Sequence, residues 1–511
     1  MAETQEQTGN RVAYVCSRCA GNIPAADRLW LKPVFCIGQV SAGQILQLIA
    51  QGAEQVLVIG CPAENCRHER GPEIARGQVA IARGLLELLG FDRTAVGYFN
   101  GDDELKNSVA LEFFSPVKKE EMEQEEAAQP ASFAVPADFT AAEFVCLDCG
   151  RCSGICPVAR TGLGFSPRRL IKQALTAGKE LSSRAVYSCL GCDLCTTVCP
   201  SGKSISRTVQ RLRVIAFNNR VQPALAHSGV MQMVGRIMAR GTRKQRRSGW
   251  ISPELKVTDQ GDTALFTGCL PYFDVLFGEL GINSVPTVRN AVRCLNQVGI
   301  VPVVLDDERC CGHDLLWLGD VSSARRLAEH NLVQLHNAGV RRVIFLCPEC
   351  QYTFQYDYPQ LAGKTGLELM HISQVLEAGG FQPGASGAAK RRVTYHDPCR
   401  LGRQLGIYEP PRRLITAIPD VELREMGHNR QQALCCGGTS WLECGAAVKL
   451  LQERRLAEAR AVDAELLVTA CTKCEIHLRC ALTRTALRPV PIINLIDLIA
   501  GGDKIGSVEQ R

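Results

Sequence analysis

Three features are absent or scarce in this sequence of 511 residues, and each limits what kind of protein it can be. It has no run of about 18 apolar residues, so no segment is predicted to span a bilayer as a helix. Aromatic residues make up only 6%, so the cores must be built from aliphatic side chains. It has no Gly-x-Gly-x-x-Gly motif after a strand and no P-loop motif, so no nucleotide or flavin site is expected.

Cysteine, in contrast, is abundant, with 26 residues. Abundant cysteine indicates either a disulfide framework or metal ligation. Disulfide frameworks are typical of small secreted domains, whereas this chain is large. It opens with the polar stretch MAETQEQTGN, which lacks the apolar core of a signal peptide. We therefore expect a soluble, cytoplasmic protein in a reducing compartment, with cysteines that serve as metal ligands.

The charge of the chain is unevenly distributed, although the net charge is only +6. No acidic residue occurs between Ser201 and Arg247, while arginine recurs along this segment. Such a segment is either a solvated basic surface or a docking site for an acidic partner. Because it lacks interleaved aromatic residues and nucleic-acid motifs, no nucleic-acid partner is expected.

The order of apolar runs and linkers predicts an α/β multidomain chain. Residues 1–114 form a small α/β domain, since the amphipathic stretch SAGQILQLIAQGA precedes the buried run EQVLVIG. A charged linker rich in Ala and Pro covers residues 115–138. A mainly helical domain at 139–220 and a basic connecting segment at 221–261 follow. Two duplicated α/β lobes, 262–390 and 391–511, are predicted because the same cysteine motifs recur in the same order.

Two cysteine runs within residues 139–220 form the most specific motif of the chain. Each has the spacing Cys-x2-Cys-x2-Cys-x3-Cys-Pro. In proteins with two [4Fe–4S] clusters, the fourth cysteine of each run binds the other cluster. One ligand set is therefore predicted to be Cys146, Cys149, Cys152 and Cys199, and the other Cys189, Cys192, Cys195 and Cys156. Zinc sites also use CxxC pairs, but they do not require a doubled run with a trailing Cys-Pro. This stretch resembles bacterial two-cluster ferredoxins and the C subunit of heterodisulfide reductase.

Each duplicated lobe contains a Cys-Cys-Gly motif, with one cysteine upstream and a CxxC pair downstream. Adjacent cysteines suit a single tetrahedral ion poorly because their side chains diverge, but each can reach a different iron of a larger cluster. The candidate thiols of the first lobe are Cys269, Cys310, Cys311, Cys347 and Cys350. Those of the second lobe are Cys399, Cys435, Cys436, Cys471 and Cys474.

These motifs resemble the Cys-Cys-Gly domains of the B subunit of heterodisulfide reductase and of its fused D subunit, over roughly residues 140–505. The resemblance implies a noncubane [4Fe–4S] cluster in each lobe, with disulfide reduction between the two clusters. Relatives often carry a histidine after the cysteine equivalent to Cys399, where this chain has Arg400. His313 and His396 are therefore alternative proton donors, and Glu349 and Lys473 lie inside the CxxC loops.

The amino-terminal domain carries its own cysteines, which are Cys16, Cys19, Cys36, Cys61 and Cys66. The stretches VFCIG and VIGCPAENCRHERG resemble the delta subunit of methyl-viologen-reducing hydrogenase. The resemblance implies a [2Fe–2S] cluster held by four of these cysteines. Cys19 is the alternative to Cys16, and zinc or a redox dithiol is the other interpretation. The remaining cysteines are expected to be small buried hydrophobic residues: Cys294, Cys444 and Cys480.

Together these resemblances imply an iron–sulfur oxidoreductase subunit of a soluble heterodisulfide-reductase-like complex. Electrons would come from a flavin-bearing A-like subunit, a hydrogenase, a formate dehydrogenase or another dehydrogenase. They would pass through the [2Fe–2S] and the two cubane [4Fe–4S] clusters to the two noncubane clusters, where a disulfide is reduced. The alternatives are a non-catalytic relay, a 2-hydroxyacid- or quinone-linked module, and a zinc-stabilised binding protein that uses the basic segment.

Overall fold

The computed structural model describes residues 10–17, 29–61, 66–100, 131–136, 139, 146–176, 180–384, 391–438, 440–483 and 489–501. The chain divides into two compact units. The first comprises residues 1–128 and 226–246, and the second comprises 129–225 and 247–511. Among the described residues, no helix has the length and apolar character needed to cross a bilayer.

A parallel sheet forms the centre of the first unit. Its strands are β1 (Asn10–Cys16), β2 (Leu29–Val34), β3 (Ala53–Gly60) and β4 (Val96–Asn100), in the order β2-β1-β3-β4. Strand β3 is buried along most of its length, as expected for a parallel strand covered on both faces. The helices of this part are α1 (Ala42–Gln51) and α2 (Gly71–Leu88). Helix α1 begins at a capping box, because Ser41 and Gln44 each bond the other's backbone N–H.

The segment with the two cysteine runs is mainly helical, as predicted. Its helices are α3 (Arg151–Ile155), α4 (Pro167–Ala174), α5 (Ser183–Tyr187) and α6 (Ile205–Asn218). A short antiparallel pair is formed by β5 (Ser132–Ala134) and β6 (Glu180–Ser182). The aliphatic side chains of α4 and α6 pack together in the core of this segment.

The next helix, α7 (Val230–Arg240), belongs to the first unit. This helix lies in the segment expected to be a basic connector, yet 9 of its 11 residues are buried. It packs against α1. The exposed basic side chains cluster at and after its carboxyl end: Arg240, Arg243, Lys244 and Arg246. The segment therefore combines a buried helix with a short basic surface.

The first lobe is built on the parallel strands β7 (Thr263–Phe266), β8 (Arg342–Phe345) and β9 (Glu368–His371), in that order. Val303 forms an isolated bridge to Ala264 on the other side of β7. The helices of this lobe are α8 (Leu270–Phe277), α9 (Ser284–Gln297), α10 (His313–Leu318), α11 (Val321–Asn337), α12 (Pro348–Tyr352), α13 (Tyr358–Leu361) and α14 (Ile372–Ala378).

The second lobe repeats this topology. Its parallel strands are β10 (Arg391–His396), β11 (Val421–Leu423), β12 (Leu466–Thr469) and β13 (Ile492–Asn494), in the order β11-β10-β12-β13. Its helices are α15 (Glu409–Thr416), α16 (Ala446–Ala461), α17 (Thr472–Leu482) and α18 (Leu495–Ile499). Strands β10, β12 and β13 correspond to β7, β8 and β9. The predicted α/β multidomain fold with two duplicated lobes is confirmed.

A single hydrophobic core joins the two lobes. It contains aliphatic side chains of the central strands and of helices α9, α14, α15 and α18. In both lobes, the cysteines outside the Cys-Cys-Gly motif lie just after the carboxyl ends of two neighbouring strands. Because the strands are parallel, these ends meet at one edge of each sheet, where ligands of open α/β sheets bind.

Candidate iron–sulfur centres

The predicted cysteines of the first lobe meet at the carboxyl ends of β7 and β8. Side-chain contacts join Cys269 to Cys310, Cys310 to Cys311, Cys311 to Cys350, and Cys350 to Cys347. All five side chains are buried. Burial opposes ionisation of an isolated thiol, so a thiolate set of this kind requires a positively charged partner. Iron supplies that charge, and the donor set therefore fits a multi-iron cluster.

The second lobe arranges its cysteines in the same way. Contacts join Cys399 to Cys435, Cys435 to Cys436, Cys436 to Cys474, and Cys474 to Cys471. In both lobes the upstream cysteine touches the first member of the adjacent pair, and the CxxC touches the second. The sequence repeat is therefore also a repeat of the donor geometry.

The backbone conformation explains why glycine follows the two cysteines in each Cys-Cys-Gly motif. Gly312 and Gly437 have φ angles of +84° and +82°, in the left-handed region that favours glycine. A Cβ atom on Gly437 would also lie 2.7 Å from the side chain of Val448 on α16. The glycine thus lets the chain turn sharply after the adjacent cysteines and pack against the next long helix.

The two donor sets touch each other across the lobes. Cys347 of the first CxxC contacts Cys471 of the second. The contact joins all ten sulfur atoms, five from each lobe, in one continuous series. Sequence reasoning predicted two neighbouring clusters, but it did not predict which cysteines would lie at the junction.

A buried group of charged side chains connects the same two CxxC loops. Lys473 Nζ lies 2.5 Å from Asp314 Oδ1 and 2.5 Å from Glu349 Oε2. His313 Nδ1 lies 3.1 Å from Asp314 Oδ1 and 3.4 Å from Glu349 Oε2. Burial lowers the pKa of Lys473, but the two carboxylates together raise it well above its usual value. We call Lys473, Asp314, Glu349 and His313 the interlobe charge cluster.

Arg400, which stands where relatives often carry histidine, is a buried cation held between aromatic rings. Its guanidinium carbon lies 4.3 Å from the ring centroid of Trp317 and 4.6 Å from that of Tyr352. Of the two alternative histidines, His313 belongs to the interlobe charge cluster. His396 lies beside the second-lobe thiols, within 4.8 Å of Cys436 and Cys474.

The two cysteine runs of the helical segment combine in the crossed manner that their spacing predicts. Cys199 lines one pocket together with Cys146, Cys149 and Cys152 of the first run. Cys156 is close to Cys189 and Cys192, and Cys195 is close to all three. Each run therefore contributes three thiols to one centre and one thiol to the other. These donor sets fit two cubane clusters.

The second of these centres packs directly against the second lobe. Cys156 and Cys192 share a buried apolar cluster with Cys435, and Cys399 packs against it. Arg403 Nη1 donates a hydrogen bond of 3.0 Å to the carbonyl of Cys192. Gln404 Nε2 donates to the carbonyl of Gly191 at 2.9 Å. The helical segment and the second lobe are therefore in direct contact beside their cysteines.

Replacing Gly191 with alanine should destabilise the contact between the helical segment and helix α10 of the first lobe. Gly191 has a φ angle of +63°, and an added Cβ would lie 2.7 Å from the ring of Trp317. Gly202→Ala is the matched control, because its φ is +61° and no described heavy atom lies within 4 Å of its added Cβ. We expect Gly191→Ala to cost about 1–3 kcal/mol more than the control, measured by denaturant unfolding. Equal costs would contradict a tight contact with Trp317.

In the first unit, the described cysteines also converge at one edge of the sheet. Cys16 ends β1, and its Sγ lies 3.4 Å from Cys61 Sγ just after β3. A Cβ on Gly71 would lie 2.8 Å from Cys36 Sγ and 3.0 Å from Cys66 Sγ. Cys19 lies outside the described residues. The four thiols form two neighbouring pairs, a donor set that fits a [2Fe–2S] cluster.

The cysteines without a motif differ in their burial. Cys294 on α9 is buried, as expected for a small hydrophobic residue. Cys444 and Cys480 are only partly buried, so the expectation of full burial is wrong for these two. Cys480 Sγ lies 3.3 Å from Lys449 Nζ on the neighbouring helix.

Family models match three parts of the chain. The cysteine-rich domain matches residues 263–355 and 393–479. The 4Fe-4S dicluster domain matches residues 144–203. The model of the methyl-viologen-reducing hydrogenase delta subunit matches residues 12–111. With the geometry above, these matches define an iron–sulfur protein of the electron-transfer class.

Curated relatives make the likeness more specific. The D subunit of the dihydromethanophenazine:CoB–CoM heterodisulfide reductase of Methanosarcina barkeri is 32% identical over 265 residues, covering 50% of this chain and 62% of that protein. The B subunit of the fumarate reductase (CoM/CoB) of Methanothermobacter marburgensis is 26% identical over 296 residues, covering 57% and 56%. The EtfAB:quinone oxidoreductase of Syntrophomonas wolfei is 30% identical over 224 residues, covering 41% and 30%.

The chain is therefore an iron–sulfur protein similar to the D subunit of heterodisulfide reductase, and the three relatives named above are oxidoreductases or their subunits. It spans less than two thirds of the length of these relatives. Among solved structures, a hypothetical protein from Helicobacter pylori aligns with 62% of each chain at 11% identity and a TM-score of 0.39.

Proposed function

We propose that this chain is the disulfide-reducing, electron-delivering subunit of a soluble, cytoplasmic heterodisulfide-reductase-like complex. The observation that carries the proposal is the contact between Cys347 and Cys471, which places two complete five-thiol sets side by side. Two adjacent centres would each bind one sulfur of a disulfide and supply it with one electron, so that the two together provide the two electrons the reduction consumes. The likeness to the D subunit of heterodisulfide reductase supports the same reaction.

The proposed ligands are the thiols that the structure brings together. Two noncubane [4Fe–4S] clusters would be held by the five-cysteine sets of the two lobes. Two cubane [4Fe–4S] clusters would be held by the crossed sets of the helical segment. A [2Fe–2S] cluster would be held by Cys16, Cys36, Cys61 and Cys66. When bound, these clusters supply one-electron transfer and iron sites for substrate sulfur.

Side chains near the contact between Cys347 and Cys471 would assist this reaction. Reducing a disulfide consumes two electrons and two protons and yields two thiols. Arg400 would place fixed positive charge near the contact between the lobes, where negative charge grows as electrons arrive, and Lys473 would offset the charge of the two carboxylates beside it. Their burial excludes water, which strengthens each electrostatic interaction.

The proposed partners follow from the amino-terminal unit. Its likeness to the hydrogenase delta subunit supports a donor that is a hydrogenase, a formate dehydrogenase or another dehydrogenase, or a flavin-bearing A-like subunit. The donor would deliver electrons to the [2Fe–2S] site. The two cubane centres would pass them to the second lobe through the contact between Cys192 and Cys435.

The test is disulfide turnover by the full chain, purified without oxygen and reduced with a viologen dye. We expect a mixed disulfide of two different thiols to reoxidise the dye, with two thiols released for every two electrons consumed. Reducible clusters without any turnover would contradict the proposal and indicate a non-catalytic relay.

A second candidate function is a relay to quinone or a 2-hydroxyacid-linked module. It is favoured by the similarity to the EtfAB:quinone oxidoreductase, which covers 41% of this chain. In the same assay, oxidation of the reduced chain by a quinone analogue, with no reaction toward disulfides, would support this candidate instead.

A further inference from the structure

We propose that His396 is a fixed hydrogen-bond donor to the thiolates of Cys436 and Cys474, and that it makes the second-lobe cluster easier to reduce than the first-lobe cluster. The proposal rests on the proposed function in one respect, which is that both lobes bind a cluster. It adds that the two duplicated centres are chemically different, and it names the residue that distinguishes them.

The position of His396 places an imidazole against the second donor set. His396 is the last residue of β10, and it is completely buried. One of its ring nitrogens and the sulfur atoms of Cys436 and Cys474 all lie within 4.8 Å of one another. Backbone N–H groups donate to thiols in both lobes, as Gly312 does to Cys310. His396 is therefore an additional donor in the second lobe.

The hydrogen position on His396 is fixed by Arg455. Arg455 Nε donates a hydrogen bond of 2.9 Å to His396 Nδ1. A guanidinium is always protonated and cannot accept a hydrogen bond, so Nδ1 must be the acceptor and the hydrogen of the neutral ring lies on Nε2. Arg455 is itself held by the carbonyl of His428 at 2.7 Å and by Glu458 at 2.6 Å.

The Nε2 atom of His396 is left for the thiols. It is buried, and it has no hydrogen-bond partner among the protein groups that the structure describes. A buried N–H without a partner is costly, which makes donation to a cluster thiolate favourable. Arg455 thus fixes the orientation of the His396 ring, and the Nε2–H group of His396 is available to the cluster site.

The first lobe has phenylalanine at the equivalent position. Phe266 is the last residue of β7 and precedes Cys269 by three positions, as His396 precedes Cys399. A Cβ on Gly268 would lie 3.0 Å from Cys350 Sγ and 3.7 Å from the Phe266 ring, which places the ring beside the first donor set. His371 of the first lobe is also buried near Cys347 with its Nε2 unpaired among the described groups, but, unlike His396, it does not lie within 4.8 Å of two described thiols.

The difference between His396 and Phe266 affects the reduction potentials of the two lobe clusters. An N–H donor to a cluster thiolate stabilises negative charge, and it does so more strongly after the cluster has gained an electron. His396 therefore raises the potential of the second-lobe cluster, whereas the phenyl ring of Phe266 has no N–H group to donate. The second lobe is also the lobe that packs against Cys192, so the first acceptor on the path is the one with the higher potential.

The experiment is a redox titration of the anaerobic full chain, followed by electron paramagnetic resonance. We expect His396→Phe to lower the ratio of reduced to oxidised second-lobe cluster about tenfold at a fixed potential, which is a shift of about 59 mV for a one-electron couple. His396→Gln should restore most of the shift, because its amide oxygen can accept from Arg455 while its amide N–H faces the thiols. His330→Gln in the first lobe is the matched control and should leave both potentials unchanged.

The outcomes separate this inference from the proposed function. Unchanged potentials in His396→Phe, with all clusters present, would overturn the inference and leave disulfide reduction intact. Equal shifts in His396→Phe and His396→Gln would also overturn it, since packing rather than the N–H group would then be responsible. Absence of noncubane clusters from the unmodified chain would overturn both proposals.

Discussion

Replacing Cys350 with alanine should remove about four iron atoms per chain and abolish disulfide reduction. Cys350 contacts both Cys311 and Cys347, so it stands in the middle of the first donor set. Without Cys350, the other four thiols of the first lobe no longer form one continuous donor set. We expect turnover to fall by about 100-fold or more, because even the loss of groups that only support metal ligands costs 10–100-fold. Iron analysis and the viologen assay measure the two effects.

The control for this variant is Cys294→Ala. Cys294 is a buried cysteine in the same lobe that belongs to no cluster motif. Its replacement should keep both the iron content and the turnover, with only a small loss of stability. The cubane signals of the helical segment should persist in both variants. Normal iron content in Cys350→Ala would show that the first lobe does not hold the proposed cluster.

Replacing Lys473 with methionine should destabilise the second unit by about 3–5 kcal/mol. The lysine is the partner of two buried carboxylates, those of Asp314 and Glu349. Burial raises the pKa of the Asp314 carboxyl, but Lys473 and His313 together hold it well below its usual value. Without the lysine, two negative groups would share one desolvated site. Denaturant unfolding of the full chain measures the loss.

Two further variants test the cause of that loss. Lys473→Arg keeps the positive charge and should recover part of the stability. Lys449→Met removes a lysine from helix α16 of the same lobe that pairs only with Cys480 among the contacts described, and it should cost less than about 1 kcal/mol. If Lys473→Met and Lys449→Met cost the same, the interlobe charge cluster does not hold the lobes together.

Much of the candidate site could be predicted from the spacing of the cysteines. A Cys-x2-Cys-x2-Cys run fixes three thiols locally, and two such runs imply an exchange of the fourth thiol, as seen for Cys156 and Cys199. The duplicated lobes were predictable because the cysteine motifs follow apolar strand-like runs in a repeated order. These features depend on residues that are close together in the sequence, so motif spacing and strand periodicity are enough to predict them.

What could not be predicted depends on contacts between distant segments. The contact between Cys347 and Cys471 arises because the two lobes pack around one core, which leaves no local signal in the sequence. Lys473 and Glu349 were visible inside the CxxC loops, but Asp314 was not singled out, and the pairing of the three follows from the same packing. The difference between Phe266 and His396 can be read from the aligned motifs, but the hydrogen bond from Arg455 that orients His396 joins residues 59 positions apart and leaves no local signal.

Because helix α7 belongs to the first unit, it determines which residues a separately expressed first unit must contain. In topological terms, residues 129–225 are an insertion between two parts of one folding unit. A fragment that ends within residues 115–128 would lack the helix that packs against α1, and the apolar surface of α1 would face water. An autonomous version of the first unit should therefore be a spliced polypeptide that connects residues 10–100 directly to residues 226–246.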